Sequence, residues 1–204
     1  MELSTLTTLL EQASRGHLGA EQAQALHQAA SRSIGVRWVT DAARVQIHCL
    51  LAQATVLQQN IDPVEAVIKH LVKASPDGTH LLSIPGLGPT LAAVVLGELA
   101  PIRRFESTKQ LVAFVGLDPS VYESGHFQAI RAHISKRGSP YARRALFLAA
   151  NIARLYDPQL AALYDRKIQP GKHHSVAVVA VAHRLLARIY VVLKEQRPYR
   201  RTEE

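Results

Sequence analysis

The stretch IPGLGPTLAAVVLGEL, from Ile84 to Leu99, decides how the second half of this chain folds. It places two glycines and two prolines within Pro85–Pro89, directly ahead of a run of helix-forming residues. Apolar residues precede the Pro-Gly-Leu-Gly turn as well as follow it. Two helices joined by such a turn form a helix-hairpin-helix, which the sequence predicts over residues 81–99.

The two glycines of this turn suggest a binding role. Gly86 and Gly88 reach backbone dihedrals that other residues avoid, and they leave the backbone amides uncovered by side chains. The amides lie at the start of the next helix, where the dipole is positive, so a phosphate can dock there. We therefore predict that Gly86 and Gly88 bind DNA. The alternative is a tight connector between two packed helices.

Composition favours a helical fold. The chain has 204 residues, of which 48% are hydrophobic and only 5% aromatic, and Ala, Leu and Val dominate. We expect a mostly all-α protein, with a helical segment followed by a compact helical domain. Cys49 is the only cysteine, which favours a reducing cytoplasm. The apolar stretch over residues 175–193 contains three basic or imidazole side chains, so we predict a buried helix and no membrane partner.

Positive charge is concentrated at the end of the chain. Residues 126–201 hold fifteen Lys and Arg against three Asp and Glu, whereas residues 1–80 hold six against seven. A field of one sign attracts polyanions, and nucleic acid is the first candidate. The alternatives are that the charge serves solubility or binds an anionic membrane surface.

A helical segment is predicted over residues 36–75, after two short helices over residues 1–35 whose role the sequence does not reveal. Asp62-Pro63 either starts a new helix or lies in a kinked continuous one. The segment carries apolar residues at alternating steps of three and four, the spacing that lets helices pair. It serves either for subunit contact or as one buried face within a monomer. These seam residues are Ile47, Leu50, Ala54, Leu57, Ile61, Val64, Ile68 and Leu71.

Residues 116–140, the serine loop, form the longest segment without helical periodicity, inside a predicted domain over residues 80–200. Ser124 offers an oxygen nucleophile, and the Gly that follows keeps the backbone open. Tyr122 is an alternative nucleophile or a stacking residue, and Ser-Gly pairs also occur in ordinary turns. The turn cluster at residues 74–80 is the predicted domain boundary.

Four cations follow the serine within a short distance along the chain. Lys136 and Arg137 lie near the end of the serine loop, and Arg143 and Arg144 fall in the first turns of the next helix. Cations are unfavourable at a helix N-terminus, so an anionic ligand would resolve the conflict. We predict that all four contact DNA. No spacing of His and Cys predicts a metal site in this chain.

An ordered set of motifs adds a resemblance. In sequence order they are SIPGLGP, RFESTKQLVAFVGLDP, the SG pair, ISKRGSPYARRALFLAA and GKHHSVAVVAVAHRLLARIY. Together, from about His80 to Tyr199, they resemble the C-terminal transposase domain of the Piv-invertase-like, bridge-RNA-guided insertion-sequence transposases. The helical segment over residues 36–75 resembles the coiled coil that precedes this domain in the family.

The resemblance implies a function and a set of partners. It implies that Ser124 is the covalent nucleophile that cuts and rejoins DNA. It also implies that a structured bridge RNA determines which DNA sequence is chosen. It places Mg²⁺ on a RuvC-like domain with four acidic residues, which meets the serine domain of another subunit. We find no such domain in this sequence, so we expect a truncated homologue, acting as a homo-oligomer or with a partner chain. The alternatives are a non-catalytic helix-hairpin-helix module and a helical interaction protein.

Overall fold

The computed structural model describes residues 2–34, 40–119, 123–124, 127–128 and 133–200, and confirms a predominantly α-helical fold. The chain divides into two compact units, Met1–Leu57 and Gln58–Glu204. The predicted boundary at residues 74–80 stays a prediction. The helices are α1 Leu3–Ala13, α2 Ala20–Arg32, α3 Thr40–Ala74, α4 Pro76–Leu82, α5 Pro89–Leu99, α6 Thr108–Val115, α7 Pro140–Tyr156, α8 Pro158–Ile168 and α9 His174–Glu195; the strands are β1 Glu123–Ser124 and β2 Phe127–Gln128.

Helix α3 is continuous across Pro63, so Asp62-Pro63 lies inside one helix and does not start a second one. Pro63 removes one helical hydrogen bond, yet the flanking residues keep the helix in register. Asp62 does not start a new helix, because its Oδ1 accepts a hydrogen bond from Gln58 Nε2 at 2.7 Å within α3.

The predicted seam on α3 is solvent-exposed. Its large side chains are between 46% and 61% exposed, so the described residues of this chain do not bury them. Only Ile68 is half-buried, and it packs against the core of the second unit. These exposed seam residues are Ile47, Leu50, Leu57, Ile61, Val64 and Leu71.

The core of the second unit forms around α9. This helix packs against α7 and α8 along most of its length and also contacts α4 and α6. By length and a mean hydropathy of 1.9 it could cross a membrane, but 56% of that apolar stretch is buried inside the unit. We conclude that α9 is apolar because it is the core helix, as the sequence predicted.

Small side chains line the face of α7 that meets this core. Because alanine adds only one carbon beyond the backbone, neighbouring segments can approach α7 closely. The buried alanines are Ala142, Ala145, Ala149, Ala150 and Ala153.

The stretch expected to be a turn at residues 74–80 is mostly helix α4. Ser75 caps this helix, since its Oγ accepts from the Gly78 amide at 3.3 Å, and Pro76 occupies the first helical position. A serine followed by a proline is a helix start signal, which the turn prediction overlooked. Ser107 caps α6 in the same way, because its side chain accepts from the Gln110 amide at the start of that helix.

Candidate nucleic-acid interface

The connection between α4 and α5 lies directly on α7. Gly86 has a φ of +88°, and a β carbon at this position would lie 2.4 Å from the Ala149 carbonyl oxygen and 2.8 Å from the Ala153 nitrogen. Both the dihedral and the close approach require glycine. The structure therefore gives Gly86 a packing role, in line with the tight connector, and its contact with DNA stays a prediction.

Gly88 is open to solvent at the end of the same connection. It is the N-cap residue of α5, and a β carbon there would meet no described atom within 4 Å. No side chain in the described part of the chain caps this helix, and Pro89 contributes no amide. The remaining amides of the first turn are thus free of side-chain acceptors, which is the arrangement that a phosphate oxygen fits.

The serine loop contains an antiparallel ribbon, which the lack of periodicity did not reveal. Near the two ends of the loop, Ser135 Oγ donates to Asp118 Oδ1 at 2.5 Å, and the Ser135 amide donates to the Asp118 carbonyl at 2.7 Å. Pro119 bridges Ile134 next to this pair. Strands this short leave no periodic pattern in a sequence.

Ser124 belongs to this ribbon. It lies in β1 and pairs with Phe127 of β2, while Glu123 pairs with Gln128. The structure describes the backbone pairing of Ser124 but not its side chain. Tyr122 lies outside the described residues. The candidate nucleophile therefore lies in a short antiparallel pair within the serine loop, and Asp118 and Ser135 are hydrogen-bonded to each other near the two ends of that loop.

Lys136 and Arg137 are two exposed cations near the end of the serine loop, shortly before α7. The Lys136 amide donates to the Gly116 carbonyl at 3.1 Å, and Gly116 ends α6 in the left-handed conformation with a φ of +74°. Lys136 and Arg137 are exposed, and no hydrogen bond or ion pair engages their side chains within the described ranges. The sequence prediction that they are available to a phosphate is consistent with this placement.

Arg143 has an internal partner that the sequence prediction did not consider. Its guanidinium is half-buried and donates to the Val115 carbonyl at 2.9 Å and to the Gly138 carbonyl at 3.4 Å. The cation therefore lies at the C-terminus of α6, where the helix dipole is negative. An anionic ligand is not needed to explain Arg143. Arg144, by contrast, is exposed, and none of the described residues pairs with its side chain.

The sequence analysis did not identify Asp157, whose buried carboxylate holds Tyr199 in place. Asp157 is 2% exposed; its Oδ2 accepts from Arg188 at 2.6 Å and from the Tyr199 hydroxyl at 2.8 Å. Burial by itself raises the pKa of Asp157, but the hydrogen bonds from Arg188, Tyr199 and the Leu160 amide outweigh it and lower the pKa. The Tyr199 amide also donates to Ser83 Oγ at 2.7 Å, next to the α4–α5 connection.

A basic groove between α8 and α9 was also missed. It has a volume of about 930 Å³ and reaches Leu117 at the start of the serine loop. Sequence reasoning counted its cations only within the excess positive charge of residues 126–201. The sequence does show a signal for this groove. Cations lie at the end of α8, in the turn that follows it and on α9. These cations are Arg166, Lys167, Lys172 and Arg184.

Comparisons with known proteins find relatives that are named as a transposase, a gene-inverting protein and a protein of an insertion element. The chain is 30% identical over 179 residues to the transposase for insertion sequence element IS1111A of Coxiella burnetii, covering 84% of this chain and 47% of that protein. It is 28% identical over 145 residues to the pilin gene-inverting protein of Moraxella bovis, covering 69% and 45%. It is 28% identical over 152 residues to the insertion element IS110 uncharacterized 43.6 kDa protein of Streptomyces coelicolor, covering 74% and 37%.

The chain spans less than half the length of each of these relatives. A family model described as the transposase IS116/IS110/IS902 family matches residues 78–165. This match contains the α4–α5 connection, the serine loop and helix α7. This part of the chain is therefore similar to a transposase domain of the IS116/IS110/IS902 family.

Proposed function

We propose that this chain is the DNA-binding, serine-bearing half of a transposase that cuts and rejoins DNA through a covalent phosphoserine. One observation carries the proposal. Inside the region that matches the transposase family, Ser124 lies in a short strand of the serine loop, and the exposed cations Lys136 and Arg137 lie near the end of the same loop. The names of the relatives, a transposase and a gene-inverting protein, support DNA rearrangement as the overall reaction.

The proposed reaction is a transesterification at phosphorus. Ser124 Oγ loses its proton and attacks a DNA phosphodiester, forming an O–P bond. The bond from phosphorus to one sugar oxygen breaks, and that oxygen takes up a proton as it leaves. A sugar hydroxyl of another strand then attacks the phosphoserine, which restores the serine and joins the strands. The energy of the phosphodiester is conserved throughout.

Phosphate binding is assigned to the groups that have no internal partner among the described residues. Lys136, Arg137 and Arg144 supply positive charge near the ribbon, and the amides after Gly88 supply hydrogen-bond donors. Arg143 acts indirectly, because it holds the end of α6 against the segment that closes the serine loop. None of these contacts reads a base, so sequence choice is assigned to a bridge RNA.

The proposal places Mg²⁺ outside this chain. Within the described ranges, no three His, Cys, Asp or Glu side chains lie close enough to hold a metal ion, so no step above is routed through one. We assign Mg²⁺ to a RuvC-like domain with four acidic residues, supplied by a partner chain or another subunit. The acidic residues of that domain would hold the ion, which would supply positive charge to the phosphate.

We expect Ser124→Ala to abolish the covalent protein–DNA adduct. The chain is incubated with a RuvC-like domain, Mg²⁺, bridge RNA and labelled cognate DNA, and the adduct is measured on a denaturing gel. Removing the only attacking oxygen should lower the adduct yield by at least about 100-fold. Tyr122→Phe is the matched control and should keep the yield. No adduct from the unaltered chain, or an equal yield from Ser124→Ala, contradicts the assignment.

A second function, subunit contact through α3, is favoured by the exposed seam. An apolar seam with a seven-residue repeat gains free energy when it pairs with a second copy. This role is compatible with the first, since recombination requires several strands to be cut in one assembly. It would be the main role if the chain is a helical interaction protein.

The test replaces Leu50 and Leu57 by Glu and measures mass by sedimentation equilibrium. Each leucine buried between helices contributes about 1.5–3 kcal/mol, so dimerisation should weaken by at least about 100-fold. The control, Thr55→Glu with Gln59→Glu, adds the same charge on the other face of α3 and should associate normally. A monomeric unaltered chain at high micromolar concentration contradicts subunit contact through this seam.

A further inference from the structure

The groove between α8 and α9 has the chemistry of a binding site that the proposed function does not use. It lies within the second unit and has a volume of about 930 Å³. A smaller groove of about 470 Å³ continues from it, since Gln159, Arg184 and Arg188 line both. The two together form a continuous basic track along α9 toward the end of the chain.

Apart from Arg188, the cations of the larger groove are uncompensated. No Asp or Glu is among its lining residues. In the part of the chain that the structure describes, no ion pair or hydrogen bond engages the side chains of Arg166, Lys172 or Arg184. Arg188 is different, because its charge is paired with Asp157. Like charges held in one concave surface focus a positive potential, which a polyanion relieves.

Apolar as well as basic residues line the groove, and this feature distinguishes among polyanions. Leu163, Val176 and Val179 are among the lining residues, and Val176 is 50% exposed. A duplex presents its phosphates and base-pair edges and keeps the faces of its bases stacked inside. An unpaired nucleotide presents a phosphate together with an apolar base face. The combination of basic and apolar lining residues therefore matches a single strand.

The groove ends at the serine loop. Leu117 lines the groove and is buried. It directly precedes Asp118, whose carboxylate accepts a hydrogen bond from Ser135. We propose that the α8–α9 groove binds a single-stranded segment of nucleic acid and leads it toward the base of the serine loop. This inference rests on the proposed function for its direction, but the binding itself can be measured without any chemistry.

The experiment measures fluorescence anisotropy of labelled oligonucleotides of about 20 nucleotides as single-stranded DNA, single-stranded RNA and duplex DNA. The groove variant is Arg166→Glu with Lys172→Glu and Arg184→Glu. We expect single-strand affinity to fall by at least about tenfold and the salt slope to drop by about two, since each lost phosphate contact removes about 0.7. Duplex affinity should change less than about threefold. The DNA and RNA arms show which sugar the groove prefers.

The matched control replaces three exposed cations outside the groove, Arg44→Glu with Lys69→Glu and Lys109→Glu, and changes net charge equally. It should leave single-strand affinity within about threefold. Circular dichroism confirms that both variants are folded. Full single-strand affinity in the groove variant, an equal loss in the control, or a greater loss for duplex overturns the inference.

A further variant separates this inference from the proposed function. Lys136→Glu with Arg137→Glu and Arg144→Glu removes the cations near the ribbon and should weaken duplex binding more than single-strand binding. If the groove variant behaves as expected but the unaltered chain forms no phosphoserine adduct, only the serine chemistry fails. If the adduct forms and the groove variant binds single strands normally, only the groove inference fails.

Discussion

Gly138→Ala is expected to lower the free energy of unfolding by about 3 kcal/mol, the upper end of the usual cost of overpacking, because the atoms that the new methyl group meets are rigid backbone. A β carbon at Gly138 would lie 1.7 Å from the Phe114 carbonyl oxygen and 2.5 Å from its carbonyl carbon. These atoms belong to α6 and cannot turn away as a side chain can. The segment after the serine loop must therefore move off α6, which also breaks the contact between Arg143 and the Gly138 carbonyl.

Urea unfolding, followed by circular dichroism, measures this loss. Gly97→Ala is the control with the opposite sign, since Gly97 is exposed inside α5 and a β carbon there meets no described atom within 4 Å. Alanine is the better helix former, so this variant should gain about 0.5–1 kcal/mol. If both glycine variants unfold at the same urea concentration as the unaltered chain, the close approach of Gly138 to α6 is wrong.

Asp157→Asn is expected to cost about 3 kcal/mol near neutral pH, because it leaves a buried arginine without its counter-charge. Arg188 is only 12% exposed and is held between Asp157 and Gln159. The substitution also weakens the hold on Tyr199, whose hydroxyl donates to the same carboxylate. Asp165→Asn, on the exposed face of α8, is the control and should change stability by less than about 0.5 kcal/mol.

The effect of Asp157 should depend on pH in one direction. Its folded-state pKa is lowered below the ordinary pKa of an aspartate, so its contribution to stability is fully present above that ordinary pKa. The contribution is lost as pH falls through the folded-state pKa, when the folded protein must take up the proton. We therefore expect the stability difference between the unaltered chain and Asp157→Asn to be constant near neutral pH and to shrink below about pH 4. A difference that grows with acidity contradicts this account.

The helices were predictable because their signals are local. The bounds of α5 follow from Gly88-Pro89 at its start, and those of α6 from the Ser107 cap. Both signals lie within a few residues of the helix end that they mark, so no tertiary contact is needed to read them.

The contacts that define the candidate site were not predictable, because they join distant residues. Gly86 needs its conformation partly because of Ala149 and Ala153, more than 60 residues later in the sequence. Arg143 finds the Val115 carbonyl 28 residues away, and Arg188 finds Asp157 31 residues away. A single sequence shows that these residues are charged or small, but not which partner each one meets.

The serine loop lies between these two cases. Its length and its lack of helical periodicity were visible in the sequence, and so was Ser124 followed by Gly. The ribbon was not, because its pairing involves few residues: β1 with β2, and Pro119 with Ile134. The α8–α9 groove escaped notice for a different reason, since a concave surface exists only after two helices pack.

The alanine face of α7 links the interior of the second unit to its outer surface. The α4–α5 connection lies against the backbone of Ala149 and against the backbone and β carbon of Ala153, so the side-chain size at Ala153 affects where Gly88 and the amides after it lie. A methyl group added at Ala153 would therefore displace Gly88 and the amides that follow it. Under the phosphate binding that we propose for these amides, selection on DNA affinity would act on a residue that DNA does not touch.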